Sequence, residues 1–255
     1  MSQTSAGHPP EDFDWILSQY NNDDIEPIII AGQAVNIWGK TFREWDAKYN
    51  PTHPRIEDLL PLTSNDMELL EFRGVSAIGK FKGVVGSEKT APFAKAASPD
   101  TATYHLESKA GLFKVQILAW LPGASREQIL KHLVPIKLGI RKALVRVPDP
   151  VVLLSCKIAN LSTLKQTNPK RHDHKHVQIL MCCVRATIGQ GIQNGTATHN
   201  ILKVIKRFNR IAQSREARKV TKEYGLDWSR CIPLDLIIQQ AETDTVWRNF
   251  LRHQA

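Results

Sequence analysis

The spacing of apolar positions changes along this chain, from short runs and alternations to a repeat of three and four. The first kind predicts strands and the second predicts helices. A short helix is expected over residues 12–21, and Pro27-Ile28-Ile29-Ile30-Ala31 reads as a buried strand. A helix from Gln33 to Tyr49 follows, broken by Pro51 and Pro54. Residues 65–72 alternate like a strand. Val75 to Val85 fits a helix or a strand pair equally, and Gly86 to Pro99 reads as a surface loop. Tyr104–Ser108 and Leu112–Trp120 are expected to form a hairpin ending at Leu121-Pro122-Gly123.

Helical spacing dominates thereafter. Ser125, with Gln128 three residues on, caps a helix to Leu133. Ile140–Val147 alternates as a strand, and Asp149-Pro150 opens a helix running to about Gln166. Past Asn168-Pro169, a second helix spans Arg171 to Ile188, and Gly189, Gly191 and Gly195 mark a loop. A basic helix is expected over 198–224, with Ile201, Ile205, Phe208 and Ile211 as its apolar stripe, and a final helix over 233–252. Strands first and helices later predict an α+β fold: a mixed sheet with flanking helices over residues 1–123, then a mostly helical subdomain over 124–255.

Charge and cysteine content narrow the function classes. No apolar run approaches the ~18 residues of a membrane span. The acidic N-terminus lacks the layout of a signal peptide. Cys182 and Cys183 are adjacent, while Cys156 and Cys231 stand alone. With no CxxC pair they predict reduced core residues of a cytoplasmic protein, with no structural zinc. The net charge of +9 is uneven. Residues 200–222 carry eight Lys and Arg, including Lys203, Lys206, Arg207 and Arg210, against the single acid Glu216. Such a stripe fits a polyanion, nucleic acid first, or simply a solvated helix face.

Candidate chemistry centres on Asp66 and Glu68. On a strand both carboxylates leave one face, while Met67 and Leu69 leave the other. A solvated polar face explains the pair, and so does a cation held between two acids that would otherwise repel. Carboxylate oxygens with substrate phosphates suit Mg²⁺. Upstream, Gly32 stands between a strand and a helix, where backbone amides face phosphate oxygens. The glycine turn Gly32-Gln33-Ala34 followed by Ser64-Asn65-Asp66-Met67-Glu68 resembles the nucleotidyltransferase superfamily, in particular its AbiEii-type abortive-infection toxins. The resemblance implies that Asp66 and Glu68 hold Mg²⁺ (or Mn²⁺) and that Gly32, Gln33, Ser64 and Asn65 contact a nucleoside triphosphate. It also implies transfer of a nucleotide to a hydroxyl of RNA, such as a tRNA 3′ end, or of a protein. For a toxin of this type, an antitoxin would be the partner.

Two more ionisable residues turn inward. On the helix after Pro150, Lys157 falls inside the apolar arc of Leu154, Ile158, Leu161 and Leu164. On the next helix Asp173 lies one turn before Val177, on the face of Leu180, Met181, Val184 and Ile188. Counted from the intervening turn, their depths differ by about 9 Å, which disfavours a direct pair and favours a shared polar cleft against the first domain. A buried ion pair fixing the two helices is the alternative. By the resemblance, Lys157 would hold the triphosphate and Asp173 would organise the site. His172 and His176 have the spacing of metal ligands, yet lack an HExxH pattern and flank Lys175, so they read as the basic flank of a helix end.

The pattern departs from the family at one position. A third acid on a later strand would serve as base, and Gln116 stands in its place in Phe113–Trp120. An amide accepts no proton at neutral pH. Glu107 would face the same way as Gln116 if the hairpin loop had two residues, and the opposite way if it had three. Glu71 alternates to the face opposite Glu68. The sequence therefore supports a nucleotidyltransferase, a catalytically impaired relative binding nucleotide, nucleic acid or a partner protein, and, on the basic stripe alone, a DNA-binding helical protein.

Overall fold

The computed structural model describes residues 7–21, 26–71, 88–90, 100–108, 111–164 and 172–253. The chain packs as two compact units, Met1–Lys40 with Pro61–Cys156, and Thr41–Leu60 with Lys157–Ala255. The fold class is α+β: a mixed sheet with flanking helices, and, among the described residues, helices alone in the second unit.

The first unit carries seven strands among the described residues: β1 (Ile28–Ile30), β2 (Asp66–Leu70), β3 (Glu88–Thr90), β4 (Asp100–Ser108), β5 (Gly111–Leu118), β6 (Leu133–Leu138) and β7 (Ala143–Pro148). Their order is β3-β4-β5-β2-β1-β7-β6. Pairs β2/β5 and β1/β7 are parallel and the rest antiparallel. Helices α1 (Asp14–Asn21), α3 (Arg126–Lys131) and the beginnings of α2 (Ala31–Tyr49) and α4 (Pro150–Thr163) belong to this unit. Ile30, Leu70 and Leu118 from three adjacent strands pack with Leu121, Ile129, Val152 and Cys156 into one apolar cluster. Trp38 on α2 donates its indole N–H to the Pro148 carbonyl at 2.8 Å, tying α2 to the end of β7.

Three expectations are corrected in this unit. Leu133 begins β6 rather than ending a helix, and its half-exposed alternation with Pro135 suits the sheet edge it occupies. Ile140 is almost fully exposed because the β6–β7 turn, with Gly139 and Lys142 both at positive φ, lies ahead of β7. A side chain at Gly139 would put Cβ 2.5 Å from Cγ of Asp14, whose carboxylate accepts the Arg141 amide at 2.7 Å. Finally, β3 lies inside the stretch read as a loop. The expected element over Val75–Val85 is outside the described residues.

In the second unit α5 (Asp173–Gln193) is the long buried helix, joined by α6 (Thr198–Ala212), α7 (Arg215–Tyr224), α8 (Leu234–Ala241) and α9 (Thr245–Arg252). Gly189 and Gly191 are helical, not loop. At Gly189 a Cβ would sit 2.2 Å from the Trp45 ring, so this glycine admits a close neighbour rather than a turn. Two expected long helices are each split by a side-chain cap. Ser214 accepts from the Ala217 amide at 3.1 Å and Asp244 from the Val246 amide at 2.7 Å.

Asp46, fully buried, organises the turn after α2. It accepts from Asn50 Nδ2 and from the Ile56 amide, both at 2.7 Å, and Asn50 in turn accepts from the Thr52 amide and hydroxyl. All four cysteines are free and buried; burial, with Asp46 nearby, pushes the Cys182 thiol up to about 12. Replacing Asp46 strands two buried donors. Asp46→Ala is expected to lower unfolding stability by about 3 kcal/mol in urea titrations, against less than about 0.5 kcal/mol for an exposed control such as Glu242→Ala.

Candidate functional site

Asp66 and Glu68 occupy half-buried positions of β2, alternating with buried Met67 and Leu69. Parallel pairing with β5 puts Asp66 beside Lys114 and Glu68 beside Gln116. Paired residues of neighbouring strands share a face, so four polar side chains stand together: two acids, an amide and an ammonium. Lys114 Nζ donates to Gln116 Oε1 at 2.8 Å and lies 3.5 Å from Asp66 Oδ2. Ser64 Oγ donates to the other Asp66 oxygen at 3.3 Å.

The strand–helix turn closes the site from the β1 side. Ala31 sits at φ +53°, a conformation L-residues seldom adopt, and α2 begins there. The next amide, Gly32 N–H, is 3.5 Å from Glu68 Oε2. The positive end of α2 thus faces the chain's own carboxylate. Gln33 is buried; its Nε2 donates to the His8 carbonyl at 2.9 Å and its Oε1 accepts from Asn36 at 3.4 Å, so its side chain is engaged inside the fold. Ser64 pairs through its backbone with His8 in both directions, and Asn65 is exposed.

Sequence reasoning missed two contributors. Lys114 was legible in principle, because it stands two residues before Gln116 and a strand repeats every two. His8 was not. It reaches the site through a β-bridge to Ser64 and ring contact with Phe113, at 4.3 Å between centroids, and local sequence does not encode either.

Two neighbouring carboxylates offer oxygen donors of the kind divalent cations take. Among the described residues no third His, Cys, Asp or Glu joins them in a metal-binding group. The protein's share of the ligands would be Asp66 and Glu68, with the Gln116 amide oxygen in reach. Glu107 does not replace the missing acid. The strand register sets Glu107 opposite Leu112, four residues and about 13 Å along β5 from Gln116.

In the second unit, Lys157 and Asp173 form a direct buried ion pair, Nζ to Oδ1 3.1 Å. The depth argument against this pairing fails. It counted from a turn between helices ending near Gln166 and beginning near Arg171, whereas α4 ends at Thr163 and α5 begins at Asp173 itself. Asp173 therefore stands at the helix end. His176, one turn along α5, is held well below the usual histidine range by burial first and then by the Lys157 charge. The His172 and His176 rings are 6.5 Å apart, edge to face. His174 stacks on Tyr224, and its burial lowers its affinity for a proton.

The basic stripe divides between α6 and α7. Lys203, Lys206 and Arg210 are exposed at positions i, i+3 and i+7 of α6, opposite buried Ile201, Ile205 and Phe208, while Arg207 is half-buried. Arg215, Arg218, Lys219 and Lys222 are exposed on α7. No described helix is long and apolar enough to cross a membrane.

No family model matches the chain, and no curated protein matches it significantly. Among solved structures it is similar to an antigenic nucleotidyltransferase-like protein from Paracoccidioides brasiliensis. Identity is 13%, over 78% of this chain and 92% of that one, with a TM-score of 0.42.

The buried ion pair generates a stability prediction. Lys157→Met leaves the Asp173 carboxylate buried without its cation and is expected to cost about 3–5 kcal/mol in chemical denaturation. Lys157→Met with Asp173→Leu should recover most of that loss, because neither charge then remains.

Proposed function

We propose that this is a nucleotidyltransferase-like protein whose β2 acids bind a divalent cation together with a nucleoside triphosphate, and whose nucleotide transfer is impaired. The observation that carries the reading is the β2/β5 register, which aligns Glu68 with Gln116 on one face beside the start of α2. Asp66 and Glu68 would hold Mg²⁺ or Mn²⁺, which neutralises phosphate charge when bound. Ser64 Oγ and the amides opening α2 supply donors on the same side. Gln116 keeps an oxygen ligand at the third position but takes no proton from an attacking hydroxyl. Binding survives that exchange, and general-base catalysis from this position does not.

A second reading, transfer to a hydroxyl of RNA by an AbiEii-like toxin, draws support from the exposed cations of α6 and α7. In that case wild-type protein labels RNA, arrests growth when expressed, and is held in check by an antitoxin.

Calorimetric titration with each nucleoside triphosphate and Mg²⁺ tests the first reading. At least one nucleotide should bind, and Asp66→Ala should weaken it about tenfold or more, equivalent to about 1.4 kcal/mol. Incubation with labelled triphosphates and total RNA should give little transfer by wild type and more by Gln116→Asp. Efficient transfer by wild type favours the toxin reading, and binding indifferent to Asp66→Ala contradicts both.

A further inference from the structure

We infer that Lys114 takes the place of a second metal ion, so that the site binds its nucleotide with one divalent cation instead of two. The inference rests on the nucleotide-binding reading above. Two-metal sites clamp the attacking and leaving oxygens of a displacement between paired cations. They need enough carboxylates to hold both ions. Here β2 supplies two, and the neighbouring strand supplies Gln116 where a third would stand.

The ammonium of Lys114 fills the gap in charge as well as in space. It lies between Gln116 Oε1, at 2.8 Å, and Asp66 Oδ2, at 3.5 Å, bridging the two strands across the face that a cation shared by residues 66 and 116 would use. Two divalent ions among three carboxylates leave one net positive charge. One divalent ion among two carboxylates and an ammonium leaves the same. The exchange of acid for amide at 116 and the lysine at 114 thus compensate each other electrostatically. An unpaired carboxylate at 116 would instead add a third negative charge to the cluster.

Geometry also makes Lys114 a weak competitor for the remaining ion. Its side chain is 38% exposed and that of Asp66 27%, a setting in which ion pairs contribute little. Glu68 Oε2 lies 3.5 Å from the Gly32 amide. One cation can therefore enter between the two acids while Lys114 stays with Gln116.

Manganese titration of the full-length protein, followed by electron paramagnetic resonance with a non-hydrolysable triphosphate present, tests this. Wild type should bind one Mn²⁺ per chain, with no spin-coupled signal. Lys114→Met with Gln116→Asp should bind two, as a coupled pair. Two ions in wild type, or one in the double variant, overturn the inference and leave nucleotide binding standing. Lys114→Met alone should bind Mn²⁺ without nucleotide about threefold or more tighter than wild type, since the competing ammonium is gone; unchanged affinity counts against the inference. Absence of any Mn²⁺-nucleotide binding by wild type overturns the proposed function, and this inference with it.

Discussion

Parallel pairing of β2 with β5 is the constraint on which the candidate site depends. A parallel ladder fixes which side chains stand beside one another, and a slip of one residue would send Asp66 and Glu68 to the face now held by Met67 and Leu69. That slip would turn two acids to the side where Met67 and Leu69 are buried and would pull Leu70 out of its cluster with Ile30 and Leu118, so packing enforces the register. Ile30, Leu70 and Leu118, on three adjacent strands, lock the same sheet against Val152 and Cys156. The acids and this cluster share one face of the sheet, since Glu68 pairs with Ile30 and Gln116, and Leu70 with Leu118. The composition of its polar part then follows from residues 114 and 116, which bring a cation and an amide to the acids.

The same logic of compensated charge recurs in the helical unit. Lys157 and Asp173 are both buried and neutralise each other, and the Lys157 charge adds to burial in lowering the proton affinity of His176. Asp46 is satisfied differently, by donors from Asn50 and Ile56. Each of these three buried charges carries its partner with it, as the cost of desolvation requires. At the β2 face the acids are only half-buried.

Much of this was legible in the sequence, for identifiable reasons. Strand alternation placed Asp66 and Glu68 on one face, and the helical repeat turned Lys157 and Asp173 inward; both rest on local periodicity. The α+β class followed from the order of those periods. Elements were misread where tertiary contact decides. Gly189 and Gly191 read as loop because a glycine that admits Trp45 looks the same in sequence as one that permits a turn. Edge strand β6 was lost because its half-exposed pattern with Pro135 mimics irregular chain. Ser214 and Asp244 divide helices by capping, a signal that was present and overridden by the apolar stripe. The pairing of Lys157 with Asp173 escaped because helix ends, unlike helix faces, are poorly fixed by periodicity. Lys114 shares the face of Gln116 by the strand repeat, whereas His8 enters the site through a β-bridge, which no local pattern specifies.

The account makes the face of β2 and β5 the place where a cation and a nucleotide are held. Anomalous diffraction from crystals grown with Mn²⁺ and a non-hydrolysable triphosphate tests that claim most directly. The account predicts one manganese peak at the Asp66 and Glu68 carboxylates, triphosphate density beside it, and Lys114 still against Gln116. Nucleotide bound elsewhere, with Asp66 and Glu68 free of metal, would contradict it.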